Sequence, residues 1–303
     1  MKVAYLVLAH KNPRLLKKAI EALASKHSGF FVHIDQKSDF APFCPIRSSA
    51  NVVFLDNRIP VYWGEFSGVE AELLLIRRAL EDRQAYDYFV LLGGADYPLR
   101  SPQYIRKFLE RRRGLEFMNL VKVPNEMAGK PISRIQTVVV QSRYPMRRLA
   151  VRALAKLGLA QREYKKYLGN LEPYSGSTWW ALSRDACQYL LEFIERNPHV
   201  SEFFRNVFAP DESFFPTILG SSRFASRIRR NLLYEDWSRR GAHPALIEER
   251  HVAFLEKQER ICLRDVYGSG EVLFARKFSD ENLELLNRID DMIARRDKQW
   301  RIA

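Results

Sequence analysis

Residues 2–9, KVAYLVLA, form an almost unbroken apolar run that stops at His10-Lys11-Asn12-Pro13. A run this short and this apolar reads as a strand buried on both faces of a parallel sheet. It opens with one lysine and no small-residue cleavage site follows, so a signal peptide is not expected. Downstream, Asn12-Pro13 opens a stretch in which Leu15, Leu16, Ile20, Leu23 and Ala24 recur at helical spacing. A second strand follows at residues 30–34 (FFVHI), stopped by Asp35, and a third at 52–55 (VVFL). Residues 66–81 read as a long helix with Val69, Leu73, Leu74, Ile76 and Leu80 on its apolar side, and 88–92 (YFVLL) as a fourth strand. Strands alternating with helices predict an α/β fold with a Rossmann-type sheet flanked by helices.

Such sheets bind ligands outside the carboxyl ends of their strands. Four polar turns fall there: His10 to Asn12, Asp35 to Lys37, Tyr62 to Gly64, and Gly93 to Asp96. No GxGxxG follows the first strand and no GxxxxGK[ST] occurs, which excludes the dinucleotide-dehydrogenase and P-loop signatures. The second half is less regular and richer in helix signals, aromatics and basic residues. One domain is expected over 1–303, with a nucleotide-binding half (1–125) and an acceptor-binding and catalytic half (126–303).

With 49 Lys and Arg against 36 Asp and Glu, the net charge is +13 over 303 residues. That excess attracts an anionic partner: nucleic acid, an acidic membrane or a phosphorylated small molecule. No helix-turn-helix, zinc or RNP signature supports nucleic acid, so none is expected as a partner. Around 146–166 the sequence reads as an amphipathic helix, with Arg148, Arg152 and Lys156 on one face and Met146, Ala150, Ala153, Leu157 and Ala160 on another. Such a helix suits an anionic membrane surface or a solvated face. Cys44, Cys187 and Cys262 are odd in number and scattered, so neither disulfides nor a zinc site is expected.

Four segments carry candidate chemistry. Asp35 ends a strand, where it can accept hydrogen bonds from a base or ribose, or cap a turn. In Leu91-Leu92-Gly93-Gly94-Ala95-Asp96 the glycines allow close approach of a ligand, and Asp96 stands where an Asp-x-Asp would hold a metal. Position 94 is Gly, so two carboxylates are not available there. In Tyr174-Ser175-Gly176-Ser177-Thr178-Trp179-Trp180 the tryptophans can be core or a stacking platform for a sugar. In Ala209-Pro210-Asp211-Glu212-Ser213-Phe214-Phe215 a carboxylate can cap a helix or serve as general base. Lys277, between Phe274 and Phe278, needs an anionic partner if partly buried, and a diphosphate is one.

Taken in order, AYLVLAHKNP, FFVHIDQKSD, VYWGEFSGVEAEL, LLGGADYPLRS, YSGSTWWALSRD, APDESFF and LFARKF resemble the core-2/I-branching β-1,6-N-acetylglucosaminyltransferase family (glycosyltransferase family 14), which includes peptide O-xylosyltransferases. The resemblance spans nearly the whole chain. It implies a GT-A-like fold and an inverting, metal-independent transfer of a sugar, N-acetylglucosamine or xylose, from a UDP-sugar to a hydroxyl. It implies Glu212 as catalytic base and Asp35 as the uracil contact, with His10 and Asp96 grouped on the donor side. Lys277 and either Arg260 or Arg264 would neutralise the diphosphate; Trp179, Trp180, Tyr234 and Trp237 would contact the acceptor. Few cysteines and no anchor make a bacterial, cytoplasmic relative the expectation, peripheral on the inner membrane, with a glycan or lipid-linked saccharide as acceptor. The alternatives are a catalytically silent carbohydrate-binding relative and, behind it, a basic nucleic-acid-binding protein.

Overall fold

The structure, a computed structural model, describes residues 1–48, 51–141, 144–156, 158–239, 241 and 243–302. Its strands are β1 (Val3–Ala9), β2 (Ser28–Ile34), β3 (Val52–Phe54), β4 (Tyr88–Gly93), β5 (Asp96–Pro98), β6 (Glu116–Met118), β7 (Val121–Lys122), β8 (Tyr174–Ser175) and β9 (Trp180–Ser183). The C-terminal part adds β10 (Ile228–Arg229), β11 (Leu233–Glu235), β12 (Cys262–Asp265), β13 (Gly268–Glu271) and β14 (Phe274–Arg276). Among the described residues the main sheet has seven strands in the order β10-β6-β9-β4-β1-β2-β3. The β4-β1-β2-β3 part is parallel, and β9 runs antiparallel between β4 and β6. The expected α/β class is therefore observed, and the sheet draws strands from both halves of the chain.

Burial on both faces explains the apolar run at the start. Alternate side chains of a strand point to opposite faces. Ala4, Leu6, Phe89 and Leu91 pack on one side with the helices Ser67–Leu80, Arg184–Arg196 and Phe214–Gly220. Tyr5, Val7, Val32, Val90 and Leu92 pack on the other, with Leu16, Ile20 and Leu23 of the helix Pro13–Leu23. The helix predicted at 66–81 is Ser67–Leu80, but its buried side also takes in Glu72. A carboxyl in that apolar stripe breaks the helical pattern.

A second sheet of three strands, β11-β14-β5, sets the active end of the fold. Antiparallel pairing places Arg276 opposite Asp96, and parallel pairing places Glu235 opposite Arg276. The turn after β4 and a segment 180 residues downstream are thereby brought side by side.

The helix expected around 146–166 is shorter, Pro145–Lys156, with Met146, Leu149, Ala150, Ala153 and Leu154 exposed, and Ala160, beyond its end, is buried. The side chains of the basic face expected along Arg148, Arg152 and Lys156, and residue Leu157, lie outside what the structure describes. No helix among the described residues is long and apolar enough to cross a membrane.

Candidate active site

At the carboxyl ends of β1, β2 and β4 the structure opens into a cleft of about 590 Å³. His10, Asp35, Glu212, Trp179, Trp237 and Lys277 of the predicted set all line it. Asp96, Trp180, Tyr234, Arg260 and Arg264 do not.

The carboxylate pole is built on a turn. Ala209 has a left-handed backbone (φ 48°) immediately before Pro210, held by its N–H donating to the Gly64 carbonyl at 3.0 Å. The turn Pro210–Glu212 follows. The Glu212 carbonyl accepts from Gly176 N at 2.7 Å and from Ser175 Oγ at 3.0 Å, which clamps its main chain. The Glu212 carboxylate accepts from Lys130 Nζ at 2.6 Å and from Arg134 Nη1, both at Oε2. Burial alone raises a carboxyl pKa, but Lys130 and Arg134 outweigh it and hold Glu212 below its ordinary value. Glu212 is thus ionised at neutral pH, with no described donor on Oε1. Lys130 and Arg134 carried no recognisable motif, and only folding brings them here.

Gly176 precedes the two tryptophans, and its bare face could admit a sugar ring. Its bare face instead meets the Asn119 carbonyl: a Cβ there would lie 1.7 Å from that oxygen. The glycine is needed for the close approach of two backbones. Gly93 likewise leaves room for Arg276 and Trp179, and Gly94 for Ala9, although both glycines also line the cleft.

The cationic pole comprises Lys11, Arg276 and Lys277. The Arg276 guanidinium bonds Asp96 Oδ1 at 2.5 Å and lies 4.0 Å from the Trp179 ring centroid. Asp96 Oδ2 accepts from Gly93 N at 2.7 Å. Both oxygens of Asp96 are therefore taken by protein donors, and the residue positions Arg276 rather than facing the cleft. This corrects the expectation that Asp96 contacts the donor. Burial, then the like charges of Lys11 and Arg276, lower the pKa of Lys277. Neither Lys11 nor Lys277 has a carboxylate partner among the described residues. Two crowded cations with no carboxylate paired to them concentrate positive charge in the cleft.

Asp35 lines the cleft while its oxygens accept from Lys37 N at 2.9 Å, Lys37 Nζ at 2.8 Å and Val61 N at 3.4 Å. Burial raises its pKa, and these hydrogen bonds more than reverse that. His10, beside it, is pushed below its ordinary value by burial and then by Lys11, so it is neutral at pH 7.

Four other predicted residues sit elsewhere. Arg260 pairs with Glu271 at 2.9 Å, and Arg264 is exposed on the β12-β13 hairpin. The arginine in the cleft is Arg276, one residue before Lys277. Trp180 is buried, and its indole N–H donates to Glu72 Oε2 at 3.2 Å. Tyr234 stacks on Phe254, because alternation along β11 turns it away while Glu235 faces the cleft. Trp179 and Trp237 remain as aromatic walls.

Glu235 was not singled out in the sequence. Burial pushes its carboxyl up to about 7, against the opposing pull of Arg276 and with a further push from Asp96. The folded state therefore keeps a proton that the unfolded chain releases near pH 4.5. Stability is expected to fall as pH rises from about 4.5 through 7, by on the order of 3 kcal/mol. Asp211, raised to about 6 by burial and then by Glu212, acts in the same direction. Thermal unfolding of wild type and Glu235→Gln between pH 5 and 8 checks this: the variant's midpoint should decline less steeply.

The chain resembles known proteins along most of its length. A family model described as Core-2/I-Branching enzyme matches residues 3–259. A xylosyltransferase of Ciona intestinalis is 21% identical over 305 residues, covering 96% of this chain and 34% of that protein. Xylosyltransferase 2 of Homo sapiens is 25% identical over 308 residues, covering 96% and 33%. Xylosyltransferase 1 of Rattus norvegicus is 24% identical over 249 residues, covering 79% and 28%. The chain spans about a third of the length of these curated relatives. The family model covers most of the chain, and the protein belongs to the Core-2/I-branching enzyme family.

Proposed function

We propose that the protein transfers a sugar from a UDP-sugar to a hydroxyl of a glycan or lipid-linked saccharide, by single displacement with inversion and without a metal ion. The observation that carries this is the polarity of the cleft. Lys11 and Lys277, with no carboxylate partner among the described residues, and Arg276 stand at one pole, and ionised Glu212 at the other.

In-line displacement at the anomeric carbon needs two groups. A base must take the acceptor proton, and positive charge must meet the departing diphosphate. Glu212 Oε1 is the proton acceptor in this reading; Lys130 and Arg134 fix the carboxylate through Oε2. Lys11, Arg276 and Lys277 neutralise the developing charge, a task for which a carboxylate-held metal is the common alternative. Here Gly94 takes the place of a carboxylate and Asp96 is committed to Arg276 and Gly93. Asp35 and His10 flank the base and ribose, and Trp179 and Trp237 wall the sugars.

The test is a thermal-shift and calorimetric screen of UDP, UDP-N-acetylglucosamine, UDP-xylose, UDP-glucose and UDP-galactose, each with EDTA and with manganese. Stabilisation by UDP species that persists in EDTA is expected. Stabilisation only with manganese would overturn the leaving-group account, and none with any UDP species would overturn the donor.

A further inference from the structure

Glu72 is poorly satisfied where it stands. It is fully buried, lies on the cleft-lining side of the helix Ser67–Leu80, and has no cationic partner. Oε2 accepts from Trp180 Nε1 at 3.2 Å; Oε1 is buried with no hydrogen-bond partner. Close by, Asp211 lines the same wall and accepts from Thr178 Oγ1 at 2.6 Å. Leaving a buried polar atom unsatisfied is costly, and such an atom beside a cleft calls for a partner.

The place is defined by what surrounds it. Trp179, next to Thr178, stacks on Arg276 of the cationic pole, while Asp211 precedes Glu212 of the carboxylate pole. In an in-line displacement the transferred sugar must lie between the leaving phosphate and the base. Glu72, Asp211 and Thr178 line the same cleft as both poles, and Thr178 and Asp211 adjoin in sequence a residue of each.

We propose that Glu72 and Asp211 hold a hydroxyl of the transferred sugar between them, so that this wall is the floor of the sugar subsite. This rests on the sugar-nucleotide reading of the cleft. Burial and the neighbouring Asp211 keep the Glu72 carboxyl protonated, which makes Oε1 able to donate to the sugar oxygen. Asp211 accepts a hydrogen bond from the hydroxyl. A site built to bond a hydroxyl discriminates strongly against a sugar that lacks one there, because its buried groups are then left unpaired.

Calorimetric Kd values for UDP and for UDP-N-acetylglucosamine, UDP-xylose and UDP-glucose, in wild type, Glu72→Leu and Glu72→Gln, test the assignment. In Glu72→Leu the best-bound UDP-sugar should weaken about tenfold or more while UDP stays within about twofold, the scale of one lost hydrogen bond to a buried group. Glu72→Gln, which keeps a neutral donor and acceptor, should stay within about threefold of wild type. If Glu72→Leu does not fold, the near-isosteric Thr178→Val, which releases Asp211, should show the same selective loss. Unchanged UDP-sugar binding, or equal weakening of UDP and UDP-sugar, would overturn the inference and leave the donor reading standing. If wild type binds no UDP, the donor reading itself fails and this inference with it.

Discussion

Glu212→Gln is expected to lower kcat by about 10³-fold, within the range for removing a general base, while UDP binding stays near that of wild type. The amide keeps the size of the carboxylate and cannot take the acceptor proton. Its neighbours sharpen the result. Lys130 and Arg134 both bond Oε2, so the neutral amide leaves two partly buried cations short of a counter-charge. A lower unfolding midpoint is therefore expected alongside the loss of turnover. Lys130 is nearly buried (9% exposed), Arg134 less so at 22%, and the destabilisation should be on the order of 1–3 kcal/mol. Donor transfer or hydrolysis, measured at a temperature where the variant is folded, checks the assignment. Turnover within tenfold of wild type would leave Glu212 as a residue that only orders the turn.

Lys277→Ala should weaken UDP binding by about 10- to 100-fold, or about 1.4–2.7 kcal/mol. It should do so without destabilising the free protein. The reason lies in the crowding: Lys277 is half-buried beside Lys11 and Arg276, and their repulsion lowers its pKa. Removing one cation relieves that repulsion and removes part of the anion site in the same step. The expected signature is an unchanged or raised midpoint for the free variant together with loss of the UDP-induced shift. Added salt should diminish the wild-type shift, since the contact is electrostatic. A variant that UDP stabilises as well as it does wild type would assign the diphosphate to Lys11 and Arg276 alone.

These two residues show how far the sequence reached. Short segments of unusual composition, Pro-Asp-Glu before two phenylalanines and a lysine between two more, marked Asp211, Glu212 and Lys277 as candidates, and the family resemblance singled out Glu212 as the base. The parallel core was equally open to reading. KVAYLVLA and YFVLL are too apolar for anything but strands buried on both faces, and the structure places them side by side. The helix after Pro13 followed from the spacing of Leu15, Leu16, Ile20 and Leu23, all buried. The missing acid at position 94 was also visible, because that absence is local.

What failed in the sequence was every question of which partner a side chain meets. Arg260 and Arg264 were the arginines at hand, yet the one in the cleft is Arg276, which bonds Asp96 at 180 residues' separation. Trp180 looked like its neighbour Trp179, but consecutive residues at a strand's start point to opposite sides, and Trp180 went into the core. The same alternation exchanged Tyr234 for Glu235. Glu72 gave no signal, since one acid in an apolar helical stripe resembles a surface residue until Trp180 and Asp211 are packed against it. Periodicity and turn chemistry act over a few residues, so the sequence by itself determined the strands, the helices and the turns that could bear chemistry. Contacts across 80 to 180 residues arise only when those elements pack, and the tertiary structure alone decided which charges face the cleft and which neutralise one another beneath it.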